Sequence, residues 1–405
     1  MRAVKMRRLT SWCWPICLVL VIAGQTQAAE RNCGVTDWWL WPLFAEHFIL
    51  EDGRVLDAST PQQHSSSEGQ SYAMFFALIA NDRDTFQRLW SWSVMNLASG
   101  DIEKNLPAWY WGRRDDGSWG VLDANSAADA DMWFVYSLLE AGNRWQKQSY
   151  IDDAKHLLRN IEQREFAELP ALGRMLLPGY QGFVLPDRLW VLNPSYLPLP
   201  LLRRLEKISP QGGWEQVSGA MPRLIGESSP KGFAPDWVGY RAVAPNRGVF
   251  VESMLKGGTG SYDAIRTYLW AGLVSREDPL AASVLKALPG MAKAVAVNGL
   301  PPEKVDIAQG TTLGVGSFGF SAALVPYLQA MNQPWLADLQ QRRVIDELKL
   351  SVSPQRLETG QPPYYDFVLS LFALGWLEQQ YSFRPDGGID LKWEATCPRG
   401  ATSSH

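Results

Sequence analysis

Glu68, Asp129 and Asp263 each stand at the head of a segment that otherwise carries almost no charge. Glu68 leads into Gly69-Gln70-Ser71-Tyr72-Ala73-Met74-Phe75-Phe76-Ala77-Leu78, Asp129 opens Asp129-Ala130-Asp131-Met132-Trp133-Phe134, and Asp263 sits in Ser261-Tyr262-Asp263-Ala264-Ile265-Arg266. A carboxylate on the rim of an apolar helix is costly to desolvate unless it is paired or used. Carboxylates gathered in one cleft among many aromatic rings suit glycoside hydrolysis, where one protonates the departing oxygen and another activates water or attacks carbon. Ordinary capping accounts for Asp129 or Ser317 taken singly. It accounts less well for Glu68 and Asp263, each followed by an apolar helix bearing aromatics.

The aromatic residues point the same way. There are 19 tryptophans, and Trp109, Trp111 and Trp119 fall in Gly/Asp-rich stretches outside any helical pattern. Flat rings placed there are platforms for the apolar faces of pyranose sugars; the alternative is that they plug the mouth of the fold. Trp133 and Trp270 lie inside helical patterns and read as core. Other chemistries lack their signatures. His47, His64, His156 and His405 show no ligand-like spacing, and neither HExxH, CxxC nor GxSxG occurs. Gly314-Val315-Gly316-Ser317-Phe318-Gly319 matches GxGxxG without a βαβ context, and Lys256-Gly257-Gly258-Thr259-Gly260 has its lysine at the wrong end for a P-loop. No metal or cofactor is expected.

The elements that must hold these residues are helices. Periodicity predicts them over 36–50, 68–81, 84–98, 126–145, 149–165, 195–207, 212–226, 261–274, 279–296, 318–331, 333–348 and 364–380, with little strand-like alternation. Segments 69–81, 132–139, 267–274, 317–331 and 367–377 contain no charge, whereas 84–98, 149–165 and 333–348 are charged along one face. A helix apolar all round is buried and an amphipathic one covers it. Six inner helices each followed by an outer one give an all-α, (α/α)6 barrel in a single domain; the pair containing 195–207 fits least well, because Pro198 and Pro200 interrupt it. Glu68, Asp129, Tyr196, Asp263, Ser317 and Tyr364 would then ring one end, where unpaired N–H groups and helix dipoles favour carboxylates and polar ligands.

Residues 1–28 read as a cleaved signal peptide: Arg2, Lys5, Arg7 and Arg8, an apolar run from Trp12 to Ala23, then small residues before Ala29. An uncleaved anchor is the alternative, although the run is short for a bilayer. The expected location is periplasmic or secreted, without membrane insertion after cleavage. Cleavage takes four positive charges from a net −4, leaving about −8 over residues 29–405. An acidic surface without a basic run argues against nucleic acid as a partner. Cys33 and Cys397 remain after cleavage and can form one disulfide in an oxidising compartment, or stay as two thiols.

Taken together, Ser67-Glu68-Gly69-Gln70-Ser71-Tyr72, Leu106-Pro107-Ala108-Trp109-Tyr110-Trp111-Gly112, Ala127-Ala128-Asp129-Ala130-Asp131, Asn193-Pro194-Ser195-Tyr196, Lys231-Gly232-Phe233-Ala234-Pro235-Asp236-Trp237 and Ser261-Tyr262-Asp263-Ala264-Ile265-Arg266 resemble glycoside hydrolase family 8. Within it they are similar to the periplasmic endoglucanases encoded with bacterial cellulose synthase, a subgroup that the isolated Cys33 and Cys397 also resemble. The resemblance implies an inverting barrel enzyme acting on a β-1,4-glucan, with the cellulose synthase or secretion complex as a partner. It makes Glu68 the general acid, Asp263 the general base and Asp129 the residue holding the sugar in a distorted ring. Tyr196 and Arg266 fall near the water and the base, and with Trp109, Trp111 and Tyr262 form the expected substrate-contacting set. Burial beside Tyr72 and Phe75 is expected to keep Glu68 protonated, and Arg266, one turn on, to keep Asp263 ionised. The chain departs from the family signature at Ala128, where Ser or Thr is usual, and at Phe134 and Val135. Xylan, chitosan or mixed-linkage glucan remain alternative substrates, and a non-catalytic glucan-binding subunit or a polysaccharide lyase alternative classes.

Overall fold

The layering of the fold follows from where charge is absent. The computed structural model describes residues 34–395 and Cys397, so the leader and Cys33 lie outside the described residues. Cys397 is buried and disulfide-bonded. In chain order the helices are α1 (Leu40–Phe48), α2 (Ser67–Ile79), α3 (Arg83–Leu97), α4 (Ala128–Trp145), α5 (Gln148–Arg164), α6 (Leu199–Ile208) and α7 (Trp214–Ser228). They continue as α8 (Ala264–Leu273), α9 (Ala281–Ala287), α10 (Pro289–Asn298), α11 (Phe318–Ala330), α12 (Pro334–Ser351), α13 (Pro354–Leu357) and α14 (Tyr364–Leu377).

Helices α2, α4, α6, α8, α11 and α14 form the inner ring of an (α/α)6 barrel. Every residue of α2 is buried except Glu68, and α8 is buried along its whole length. The outer helices bury one stripe only; on α5 it is Tyr150, Ala154, Leu157, Leu158, Asn160 and Ile161. Large rings fill the barrel axis. Trp133 of α4 meets Phe75 and Tyr72 of α2 (4.7 and 5.7 Å between centroids), Trp270 of α8 (5.5 Å) and Phe372 of α14 (5.3 Å). Phe372 also packs on Phe76 at 4.7 Å and closes the ring between α14 and α2. Between α8 and α11 the approach is backbone to backbone, since a Cβ on Gly272 would stand 2.2 Å from Tyr327 N. A plugged axis of this kind has no through-channel, so chemistry is confined to the barrel ends.

Three features differ from the sequence expectation. The sixth inner helix, α14, is followed by the hairpin Tyr381–Phe383/Ile389–Leu391 rather than by an outer helix. Its cover is α1, whose Phe44 and Phe48 pack on Tyr364 and Phe367. The segment 279–296 is two helices, because Pro289 cannot donate the bond that would continue α9. The prolines near 198 separate a 3-10 turn, Pro194–Tyr196, from α6, so Tyr196 sits in a turn ahead of the third inner helix.

Five small antiparallel sheets are present among the described residues. Most of their strands run only two to five residues, too short to register as alternation, while Val238–Ala244 and Arg247–Glu252 are long enough and lie outside the sequence expectation. Several lead straight into the inner ring: Ser65–Ser66 into α2, Leu189–Leu192 into the Tyr196 turn, and Thr259–Gly260 into Asp263 and α8. These pairings pin the entry loops at one end of the barrel. Gly314–Gly319 follows the short strand Thr312–Leu313 of such a sheet, with no βαβ unit around it.

Candidate active site

Arg266 lies in the first turn of α8, buried, and is the point on which the polar end converges. Its Nη1 is ion-paired with Glu68 Oε2 at 2.9 Å, its Nη2 donates to Asp263 Oδ1 at 3.0 Å, and Nη2 stands 3.9 Å from Asp129 Oδ2. Nη2 also donates to Ser195 Oγ at 3.3 Å, and the guanidinium carbon lies 5.8 Å from the Tyr196 ring. Three inner helices thus present one carboxyl each to a single cation. Tyr365 of α14, which the sequence reading did not select, lies near enough for the Arg266 charge to act on its phenol and donates through its hydroxyl to Tyr262 O at 2.6 Å.

Each carboxyl sits differently. Asp129 is buried within the first turn of α4. Burial, and next the negative charge of Glu68, push its carboxyl well above the usual carboxylate range, while Arg266 pulls the other way. Neither carboxyl oxygen of Asp129 has a hydrogen-bond partner among the described residues, so this acid stands buried and unpaired beside Glu68 and Arg266. Glu68 itself is 22% exposed and faces Arg266. The wall expected beside it is different: Phe75 points into the axis among Trp133, Phe372 and Phe383, whereas Tyr72 does border the site. Asp263 is 29% exposed; beyond Arg266, its Oδ2 accepts a hydrogen bond from Trp237 Nε1 at 2.9 Å.

The rims carry the aromatic residues. Trp109 is 38% exposed and stacks on Tyr110 with centroids 4.7 Å apart. Trp111 stacks on Trp119 at 5.5 Å, receives Trp92 edge-on at 5.2 Å and lies 4.5 Å from the Arg54 guanidinium, which also covers Trp119 at 4.6 Å. Trp111 is therefore braced by neighbours, and Trp109 is the ring presented outward. Tyr262 is 47% exposed, its hydroxyl 3.4 Å from Glu303 Oε1. Ser317 does not join the carboxyl cluster: its hydroxyl donates to Asp366. Tyr364 is half-buried with its hydroxyl buried against Gly69, where a Cβ would come within 2.5 Å of it. Trp270 is core, its Nε1 bound to Ser195 O at 2.8 Å.

A second acid pair lies behind the first. Asp131, two residues past Asp129, faces Glu165 at the end of α5, both fully buried, and Ser126 Oγ donates to Glu165. Desolvation pushes Glu165 up to about 7, against the lowering pull of Ser126, Asp131 and Arg164. Asp131 is pushed well up, first by burial and then by Glu165. The native state keeps a proton on Glu165 that the unfolded chain releases above about pH 4.5, so Glu165 lowers stability as pH rises from about 4.5 to 7, and Asp131, raised in the same direction, adds to the loss. Glu165→Gln keeps an acceptor for Ser126 and offers Asp131 a donor without an ionisable proton. Thermal melts should show the wild type losing on the order of 3 kcal/mol more than Glu165→Gln between pH 4.5 and 8. Parallel losses in the two proteins would mean that Glu165 keeps no such proton.

Comparison with known proteins decides what kind of site this is. The family model for glycosyl hydrolases family 8 matches residues 6–379. The chain belongs to glycosyl hydrolase family 8. It is therefore a glycoside hydrolase, built on the (α/α)6 barrel of that family. An endoglucanase of Pseudomonas fluorescens (strain SBW25) is 45% identical over 389 residues, covering 94% of this chain and 98% of the relative. An endoglucanase of Escherichia coli (strain K12) is 40% identical over 382 residues, covering 94% and 97%. The crystal structure of an endo-1,4-D-glucanase from Vibrio fischeri ES114 superposes with a TM-score of 0.81 at 39% identity, covering 88% of this chain and 99% of the other. In this family 8 hydrolase, then, the carboxyls gathered on Arg266 stand at the end of the barrel where a glycan can reach them.

Proposed function

We propose that the protein is an endo-β-1,4-glucanase that cleaves internal bonds of cellulose with inversion at the anomeric carbon. The observation that carries this reading is the shared guanidinium: Arg266 holds Glu68 through one nitrogen and Asp263 through the other. The two paired oxygens therefore stand no more than about 8 Å apart, a bound that admits both the roughly 6.5–9.5 Å carboxyl separation of inverting glycosidases and the roughly 5–5.5 Å of retaining ones, so inversion rests on the family resemblance. The names of the relatives at 40–45% identity support a glucan as substrate.

In this reading a glucan chain lies across the barrel end with Trp109 against one sugar face. Glu68 is the general acid. It delivers its proton to the departing glycosidic oxygen. Asp129, buried and lacking a closed set of partners for its oxygens, holds a hydroxyl of the sugar being attacked. Asp263, kept aligned by Arg266 and Trp237, takes a proton from water as that water adds to the anomeric carbon from the opposite face. Tyr196 borders the space between base and sugar. This reading includes a periplasmic enzyme that trims nascent chains alongside a cellulose-synthesising complex, supported by the resemblance and by the basic and apolar N-terminal residues.

The test is release of reducing ends from carboxymethylcellulose by the mature protein, with proton NMR of the product anomers in the first minutes. The α-anomer should form first and then mutarotate. A β-anomer formed first would replace inversion with a covalent intermediate, and turnover on xylan or chitosan alone would reassign the substrate.

A further inference from the structure

Pro235-Asp236-Trp237 grips the candidate base twice, once through the backbone around it and once through its carboxylate. Asp236 is 9% exposed. Its Oδ1 accepts hydrogen bonds from Ser261 N at 2.7 Å and Ala264 N at 2.8 Å, and its Oδ2 accepts from Ser261 Oγ at 2.8 Å. Those two N–H groups flank Tyr262-Asp263, so a single oxygen brackets the dipeptide that carries the base. The next residue, Trp237, holds the base carboxylate itself through Nε1. Trp237 is in turn stacked on Phe183 (5.7 Å, 13°) and tilted against Tyr196 (5.8 Å). Asp236 N donates to Thr259 O at 2.8 Å, tying the pair to the strand that enters α8.

The first N–H groups of a helix need acceptors, and a serine three residues ahead usually supplies one with its own hydroxyl. On α2 this is what happens: Ser66 accepts from Gly69 N at 3.0 Å. On α8 the hydroxyl of Ser261 is instead turned to donate to Asp236, which takes Ala264 N, while Asp263 makes no capping bond and projects its carboxylate outward. Helix α11 is also capped by a neighbouring segment, Asp366 accepting from Gly319 N at 3.0 Å. What sets α8 apart is the second grip, on the functional carboxylate, by the residue adjacent to the cap. A general base has to be held to within about half an ångström, and misplacement by about 1 Å costs up to about 10²-fold in rate.

We propose that Asp236 is the positioning residue for Asp263: it fixes the backbone on both sides of the base and, through Trp237, the orientation of its carboxylate. This rests on the reading of Asp263 as the base.

A kinetic double-mutant cycle on the mature enzyme tests it, with Asp236→Ala, Asp263→Asn and their combination assayed on an aryl cello-oligosaccharide over long incubations. Asp236→Ala should lower kcat about 10- to 10²-fold with KM within about twofold. Asp236→Asn, which keeps an acceptor oxygen for the two N–H groups, should recover most of that loss. In the Asp263→Asn background the same change should alter the residual rate by less than about twofold, because no base is left to position. An equal loss in both backgrounds, or wild-type kcat in folded Asp236→Ala, would overturn the proposal. Should Asp236→Ala fail to fold, Trp237→Phe takes its place in the cycle, keeping the ring and removing the N–H; its loss must likewise vanish without Asp263. Failure of the underlying reading looks different: Asp263→Asn would then turn over at near the wild-type rate whatever stands at 236.

Discussion

Glu68→Gln is expected to lower kcat on carboxymethylcellulose by about 10²–10⁴-fold, the range that general acid catalysis supplies, while folding and glucan binding persist. The amide keeps the shape of the side chain and an acceptor for Arg266 Nη1, which otherwise pairs with Glu68 Oε2 at 2.9 Å. It cannot release a proton to a glycosidic oxygen. Folding should be spared because Glu68 alone in α2 is not buried. Separate measurements of turnover, of cello-oligosaccharide affinity by calorimetry and of the melting temperature therefore give one large change and two small ones. Near-normal hydrolysis would sink the acid assignment, and Asp129, the buried acid beside Glu68, would become the donor to test.

Arg266→Met is expected to damage both stability and turnover, because one side chain serves three carboxyls. Removing the cation from a buried ion pair costs about 3–5 kcal/mol, since the partners remain buried without compensation. The pH dependence carries the signature. Arg266 is what pulls Asp129 down against burial and the charge of Glu68. Without it the folded-state affinity of Asp129 for its proton rises further above that of the unfolded chain, and stability falls more steeply as pH rises. The deficit relative to wild type should thus be largest at pH 8 and smaller at pH 5, in urea unfolding at the two pH values. Arg266→Lys keeps the charge but cannot offer two nitrogens in one plane to Glu68 and Asp263. It should recover most of the stability and little of the activity. Equal stability of Arg266→Met and wild type at pH 8 would remove Arg266 as the organising cation.

Part of this architecture is legible in one dimension because burial acts on each helix separately. A helix without charge on any face, such as 318–330, can only be inside, and one striped like 148–164 can only cover it. Glu68, Asp129 and Asp263 stand out for the same reason, each a charge at the head of an otherwise apolar run. The link from Arg266 to Asp263 also shows, as neighbours three apart on one helix. Short strands do not show, because two or three residues carry no period, and α1 gives no hint that it covers a helix more than 300 positions away.

What the tertiary structure alone decided is which charges share a partner. Glu68 meets Arg266 across 198 positions, Asp131 meets Glu165 from another helix, and Asp236 reaches Ser261 and Ala264 from a separate loop. Nothing in the local pattern of Asp236 or Glu165 separates them from ordinary surface acids. Their protonation and their roles follow from burial and from the hydrogen bonds they find there, and both exist only once the inner helices have closed around the aromatic axis. Local sequence therefore determined the layers of this barrel and the three acids at its mouth. The packing of distant segments decided how those acids are paired, aligned and charged, because electrostatic coupling depends on separation in space and on the exclusion of water.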